Sequence, residues 1–212
     1  MKNTVVSTER RKRIRASVED KLRPLTLPNF LTLLRIAIVP FFVLAVFAHE
    51  FNLAVWIFVI SGFTDVLDGW IARTFNLESR IGALLDPLAD KVLLTAAYIS
   101  LAVPHGQAVV IPLWLAILTL FRDFVIMLMA FVFYMFEGVK SFPPNWAGKL
   151  TTVMHVVTVS VVLMANVVPI PNIIIQTCFY VSFVMVIASG FSYIYRTSRY
   201  IDAARAEKDA KE

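Results

Sequence analysis

The sequence predicts an all-α membrane protein with six transmembrane helices, and two observations support this fold class. Of the 212 residues, 58% are hydrophobic and only 17% are charged, whereas a soluble domain carries about 25% charged residues. Apolar runs of about 20 residues, the length that crosses a bilayer, recur along the chain. The single cysteine, Cys178, excludes an internal disulfide and makes a zinc–cysteine site implausible.

The six predicted spans alternate with short connections whose charge indicates their orientation. The spans cover residues 30–48, 52–72, 83–103, 109–136, 149–168 and 173–195. Three connections contain no lysine or arginine, whereas the other two and both termini are basic. By the positive-inside rule we predict that both termini and both basic connections face the cytoplasm.

Charge divides the chain into three predicted parts. Residues 1–24 form a basic cytoplasmic juxtamembrane arm, residues 25–195 form the membrane domain, and residues 196–212 form a charged cytoplasmic tail. The arm carries eight lysines and arginines against three acids, and it therefore accounts for the net charge of +5. Anionic lipid attracts such residues by about 1 kcal/mol each, although the arm could equally serve only to set the orientation.

Four aspartates lie on either side of the connection between the second and third spans. Asp65 and Asp68 are three residues apart, and Asp86 and Asp90 are four residues apart. Both spacings place the pair on one helix face, and the short linker makes the two helices antiparallel neighbours. Clustered carboxylates repel unless they are protonated or neutralised, and hard oxygen ligands suit Mg²⁺, Mn²⁺ or Ca²⁺. The sequence therefore predicts a site that can hold two divalent cations.

These residues could instead have a purely structural role. Asp86 before Pro87 could cap a helix. Asp65 or Asp68 could pair with Arg73 or Arg80. Four acids at these spacings at membrane depth nevertheless favour a functional role. The small residues beside them could leave room for a ligand to approach the backbone or could serve helix packing alone; they are Gly69, Ala72 and Gly82.

The segment from Asp65 to Asp90 resembles the signature of the CDP-alcohol phosphotransferases. Every signature position matches, in the order Asp65-x-x-Asp68-Gly69-x-x-Ala72-Arg73, eight residues, then Gly82-x-x-x-Asp86-x-x-x-Asp90. The resemblance covers about residues 25–195. It implies a homodimeric membrane enzyme in which an alcohol attacks a CDP-linked donor and CMP leaves. It also implies two divalent cations, Mg²⁺ or Mn²⁺, on the donor pyrophosphate.

The resemblance also implies a role for each matched residue. The metal ligands would be Asp65, Asp68 and Asp86. Asp90 would be a further metal ligand or the base that takes the proton of the attacking hydroxyl. The residues in contact with the CDP moiety would be Gly69, Ala72, Arg73 and Gly82.

Two further stretches narrow the choice of donor. "LPNFLTLLRIAIVP", from Leu27 to Pro40, and "DPLADK", from Asp86 to Lys91, resemble bacterial phosphatidylglycerophosphate synthases and CDP-diacylglycerol-dependent cardiolipin synthases. This resemblance implies CDP-diacylglycerol as the donor. We interpret Asn29 and Thr32 in the first stretch as helix caps.

Three basic residues are candidates for binding the acceptor phosphate. Arg35 lies two turns into an apolar span and needs either a partner or a phosphate. Arg122 and Lys149 lie where basic residues of the resembling enzymes bind the acceptor, although Arg122 could instead pair with Asp123. We expect His155 to be a core histidine.

The acceptor itself has two candidates. We place glycerol 3-phosphate first, because chain length and the first span fit enzymes that use it. Phosphatidylglycerol is the alternative, because Asp follows Arg122 and residues 124–136 contain no second basic residue. Outside this class, a cation transporter or a structural membrane protein remains possible on sequence alone, and we expect no nucleic-acid partner.

Overall fold

The computed structural model describes residues 27–74, 82–137 and 146–209. These residues form six α-helices and no strand, which confirms the predicted all-α class. The helices are α1 Leu27–Phe47, α2 Phe51–Thr74, α3 Gly82–Ala102, α4 Leu113–Glu137, α5 Trp146–Ala165 and α6 Asn172–Asp209. Each predicted span falls on one helix, with bounds that agree within four residues except at the end of α6. The predicted arm, residues 1–24, lies outside the described residues.

The outer surface of the helices is apolar, as expected for a protein surrounded by lipid. In the described ranges, three segments are long and apolar enough to cross a membrane, namely Phe30–Phe47, Trp146–Ala165 and Asn172–Tyr193. Large apolar side chains such as Trp56 and Phe191 are 64% and 69% exposed, which in water would favour aggregation. The chain is therefore an integral membrane protein, and the count of six spans stays a prediction.

The last helix is longer than the span that the sequence predicts. Helix α6 has 38 residues, and at 1.5 Å per residue it extends about 57 Å, nearly twice the ~30 Å thickness of a hydrocarbon core. The sequence becomes polar near residue 195, which marks the end of the predicted membrane span, but the helix continues to Asp209. Since residues 196–209 contain no glycine or proline and include several strong helix formers, most of the predicted tail continues α6.

The structure contradicts the cap interpretation of Thr32 and the alternative in which Asp86 caps a helix. Helix α3 begins at Gly82, so Asp86 lies in its second turn and is not its N-cap. Helix α1 begins at Leu27, and Thr32 is fully buried within it. In both places the helix begins at least four residues before the residue in question, so its side chain does not stand at the N-terminus where a cap acts.

Close packing groups the chain into two compact units, residues 1–96 and 97–212, and each is described by itself. In the first unit, α1 and α2 form an antiparallel pair in which the rings of Phe42 and Phe58 lie 6.1 Å apart. The turn between them places His49 in the left-handed conformation, with φ of 61°. Because Glu50 N–H donates to the carbonyl of Ala45, the turn is a Schellman motif that ends α1 sharply.

The second unit is held together partly by buried polar contacts between helices. Helices α5 and α6 pack along each other, and Oγ1 of Thr158 lies 2.6 Å from Oγ of Ser182. The connection after α3 is fixed by neutral amides. Asn166 donates to the carbonyl of Val109 and accepts from its N–H. Such bonds satisfy loop backbone without charge, which agrees with the uncharged connections in the sequence.

Candidate active site

A buried arginine in α1 joins the carboxylates of two other helices. Nη1 of Arg35 lies 2.7 Å from Oδ1 of Asp65 in α2 and donates to Oδ1 of Asp90 in α3, also at 2.7 Å. Because each oxygen lies 2.7 Å from the same nitrogen, the two carboxylate oxygens are separated by no more than twice 2.7 Å. We call these three residues the Arg35 cluster. It brings α1, α2 and α3 together at one point of the first unit.

The position of Arg35 follows from the helical periodicity of α1. Residues at intervals of three or four form its buried face, and they are Thr32, Arg35, Val39, Phe42 and Val46. The opposite face carries exposed apolar side chains such as Leu34 and Phe41. Arg35 is thus a charged residue on a face that packs against protein, where an unpaired charge would be costly. The two aspartates are the partners that the sequence left unidentified.

The two aspartates are accessible although the arginine is not. The side chain of Arg35 is 1% exposed, whereas those of Asp65 and Asp90 are 38% and 42% exposed. The cluster carries one positive and two negative charges, so it retains a net negative charge on its open side. Carboxylate oxygens that converge on a cationic nitrogen are also suitable ligands for a hard divalent cation. The donor set therefore fits the predicted metal site.

The remaining signature residues are placed only by their backbone. Asp68 lies one turn beyond Asp65 in α2, and Asp86 lies one turn before Asp90 in α3. The side chains of these two residues lie outside the described part of the structure, as do those of Gly69, Ala72, Arg73 and Gly82. Among the side chains that the structure describes, no three acidic, histidine or cysteine residues form a metal-binding group. The four-aspartate ligand set stays a prediction.

A second buried arginine lies in the other unit. Arg122 in α4 is 8% exposed, and its Nη1 donates to Oδ1 of Asp123 at 2.6 Å. Its Nε donates to Oγ of Ser189 in α6 at 3.2 Å, and its Nη2 donates to the same oxygen. We call these three residues the Arg122 cluster. The sequence predicted the pairing with Asp123 as one alternative but gave no signal for Ser189, one of several hydroxyl residues in the apolar part of α6.

The start of α5 lies against the Arg122 cluster. A side-chain carbon at Gly148 would lie 3.5 Å from Nη2 of Arg122 and 3.7 Å from the hydroxyl of Tyr193. These are ordinary van der Waals distances, so this turn of α5 lies close to the guanidinium. Lys149 follows directly, and its Nζ lies 5.6 Å from the centre of the Trp146 ring, a cation–π distance. Its exposed ammonium adds a second positive charge to this part of the unit.

The predicted basic residues thus fall into two groups. Arg35 contacts signature aspartates in the first unit, whereas Arg122 and Lys149 lie in the second. The predicted phosphate-binding role of all three stays a prediction. His155 is confirmed as a core residue: it is 3% exposed, and its ring packs edge-on against Tyr98 at 5.3 Å.

Known proteins resemble this chain over most of its length. Residues 25–194 match the protein family described as CDP-alcohol phosphatidyltransferase. A protein of Mycobacterium bovis named "Putative cardiolipin synthase" is 32% identical over 74% of this chain and 73% of its own. A protein of Mycobacterium tuberculosis named "Probable phosphatidylglycerophosphate synthase" is 29% identical over 89% of both chains.

A mammalian relative is more similar over a shorter stretch. "Cardiolipin synthase (CMP-forming)" of Rattus norvegicus is 42% identical over 123 residues. That stretch is 57% of this chain but only 39% of the rat protein. The chain thus spans well under half the length of this relative.

Proposed function

Because the chain belongs to the CDP-alcohol phosphatidyltransferase family, we propose that it transfers a phosphatidyl group from CDP-diacylglycerol to phosphatidylglycerol. The products are cardiolipin and CMP. The choice of donor is supported by the resemblance of residues 27–40 and 86–91 to enzymes that use CDP-diacylglycerol. The choice of acceptor depends on the charge of the Arg122 cluster.

The observation that supports a lipid acceptor is the pairing of Arg122 with Asp123. This pair is neutral as a whole, so among the side chains that the structure describes there, Lys149 brings the sum of charges to one positive charge. Phosphatidylglycerol is a phosphodiester with one negative charge. Glycerol 3-phosphate is a monoester that carries about −1.5 to −2 at pH 7, as phosphorylated side chains do. The single surplus positive charge of the described side chains therefore favours the diester.

A second candidate acceptor is glycerol 3-phosphate. It is favoured by the Mycobacterium tuberculosis relative, whose name is that of a phosphatidylglycerophosphate synthase and which matches this chain over 89% of both lengths. The product would then be phosphatidylglycerophosphate. Both candidates share the donor, the leaving group and the aspartate site, and they differ only in how the acceptor is bound.

In the proposed reaction, the acceptor hydroxyl attacks the phosphorus that carries diacylglycerol. A new phosphorus–oxygen bond forms, the bond from that phosphorus to the bridging oxygen breaks, and CMP leaves with the electron pair. The hydroxyl proton passes to Asp90, since a carboxylate can accept a proton on one oxygen while Arg35 holds the other. Arg35 keeps Asp90 and Asp65 at a fixed separation and thus orients the base.

The proposed metal site uses the signature aspartates. Asp65, Asp68, Asp86 and Asp90 would hold two divalent cations, Mg²⁺ or Mn²⁺, which when bound neutralise the donor pyrophosphate and the departing CMP. Gly69, Ala72, Arg73 and Gly82 would contact the CDP moiety. The proposed orientation places this site at the cytoplasmic side of a bacterial inner membrane, where a water-soluble nucleotide can reach it. A homodimer is proposed from the resemblance alone.

The test is a CMP-release assay with the purified full-length protein, CDP-diacylglycerol and Mg²⁺ or Mn²⁺. Phosphatidylglycerol, glycerol 3-phosphate, inositol phosphate and serine are supplied in parallel. We expect CMP and cardiolipin with phosphatidylglycerol. Release with glycerol 3-phosphate alone would favour the second candidate, and no release with any acceptor would overturn the transferase proposal. Asp90→Asn protein, prepared in the same way, controls for a contaminating enzyme.

A further inference from the structure

An apolar groove runs between α4 and α6 in the second unit. It encloses about 270 Å³, which exceeds a cavity of ~150 Å³ that holds benzene. Its α4 wall extends from Leu118 to Met129, about 16 Å along the helix axis. This length is close to one leaflet, or half of the ~30 Å hydrocarbon core. Phe121 and Phe191 line the groove and are exposed, so it opens toward the lipid.

The groove is apolar except for Arg122 and Tyr193. The guanidinium of Arg122 is held by Asp123 and Ser189, and its aliphatic stem is the part suited to an apolar lining. Arg122 and Tyr193 both lie against Gly148, the residue before Lys149. The groove therefore adjoins the guanidinium of Arg122 and the turn of α5 that carries Lys149. Among the described side chains beside this apolar slot, Arg122, Asp123 and Lys149 together carry one positive charge, which suits a singly charged phospholipid.

We propose that this groove binds an acyl chain of the acceptor phospholipid, with the phosphodiester held by Arg122 and Lys149. This inference rests on the proposed function, since it requires a lipid acceptor. The bilayer is as apolar as the groove, so burial of the chain gains little from the hydrophobic effect. The contribution of the groove is positional: a held chain restricts where the glycerol hydroxyl can lie, which raises the rate by proximity.

Gly190 is a position at which a larger side chain can fill the groove without disturbing the packing of the protein. It lines the groove, and a side-chain carbon built there meets no other atom within 4 Å. A leucine at this position would therefore project into open space. Gly62 in α2 is a matched control, because a side-chain carbon there also meets nothing within 4 Å and it lies in the other unit. Both substitutions replace a helical glycine and improve helix propensity.

The experiment compares Gly190→Leu with Gly62→Leu in the full-length protein. For each, kcat/KM is measured with long-chain and with dihexanoyl phosphatidylglycerol, at saturating CDP-diacylglycerol. We expect Gly190→Leu to lower kcat/KM about tenfold for the long-chain acceptor and to leave the short-chain acceptor unchanged. The KM for CDP-diacylglycerol should stay the same. Gly62→Leu should keep the chain-length preference of the unmodified protein.

Other outcomes would overturn the groove assignment. An equal loss for both acceptors, or a raised KM for CDP-diacylglycerol, would mean that the groove holds the donor or serves only packing. Unchanged kinetics would mean that ordinary lipid or a second copy of the chain fills it. If Gly190→Leu does not fold, Val125→Phe fills the groove from α4 and is held to the same criteria. No turnover of either acceptor by the unmodified protein would instead remove the proposed function.

Discussion

The two buried arginines, Arg35 and Arg122, lie in similar apolar surroundings but are paired in different ways. Arg35 contacts two carboxylates from two other helices, 30 and 55 residues away in sequence. Arg122 contacts the next residue, Asp123, and a serine of another helix. The first cluster has a surplus of negative charge on its exposed side. The second, together with Lys149, has a surplus of positive charge. The first cluster thus has the charge to attract a cation and the second the charge to attract an anion, which are the roles proposed for them.

The largest expected effect separates the chemistry of the two clusters. Replacement of Asp90 by asparagine removes the proposed base and a partner of Arg35, and should lower kcat at least about 1000-fold, within the range for loss of a general base. The measurement is CMP release at saturating donor and acceptor. Glu50→Gln, the same chemical change in the exposed turn after α1, should leave kcat unchanged. Turnover by Asp90→Asn above a tenth of the unmodified rate would rule out Asp90 as the base.

The sequence predicted one cluster more completely than the other, for a physical reason. The aspartates recur at helical spacings, and helix periodicity is a local property that sequence records directly. The requirement of Arg35 for a partner was also visible, because a charge in an apolar span is costly. Which carboxylates pair with it depends on how α1 packs against α2 and α3, and no local spacing encodes that contact.

Packing also explains what the sequence did not reveal about the Arg122 cluster. Ser189 is ordinary in composition and becomes a partner only because α6 places it beside α4. The groove depends likewise on Gly190, a small residue whose effect is visible only when the facing wall is known. The end of α6 was missed because apolarity predicts where a membrane ends, whereas helix propensity decides where a helix ends.

The second prediction tests whether the carboxylates of the first cluster bind a cation. Arg35→Gln leaves two aspartates close together without their positive partner and should reduce stability by about 2 kcal/mol. This is less than the ~3–5 kcal/mol for fully buried pairs, because both carboxylates are partly exposed. Thermal unfolding in detergent should show most of the loss restored by Mg²⁺.

Arg122→Gln is the matched control for that rescue. It leaves one mostly buried carboxylate, Asp123, which is 17% exposed. One carboxylate is a poor site for a divalent cation, so Mg²⁺ should not restore its stability beyond the change seen in unmodified protein. Equal rescue of both variants would show that Mg²⁺ acts generally and would remove the support for a metal site at Asp65 and Asp90.

The third prediction concerns the acceptor. Arg122→Gln should lower kcat/KM for phosphatidylglycerol about 10- to 100-fold, because a hydrogen bond to a charged group contributes ~1.5–3 kcal/mol. The KM for CDP-diacylglycerol should not change. Arg122→Lys keeps the charge but loses the fork of donors, and should recover part of the loss. If Arg122→Gln raises the KM for the donor as strongly as that for the acceptor, the residue does not select the acceptor.

The smallest expected effect separates orientation of Arg122 from its charge. Ser189→Ala removes the acceptor for Nε and Nη2 of Arg122 but leaves the pair with Asp123. The guanidinium keeps its charge and loses one anchor, so kcat/KM for phosphatidylglycerol should fall about threefold, equivalent to ~0.7 kcal/mol. Ser160→Ala is the control, because its hydroxyl bonds only within α5, to the carbonyl of Val156. A loss as large as that of Arg122→Gln would mean that the position of the guanidinium, rather than its charge alone, decides how the acceptor is bound.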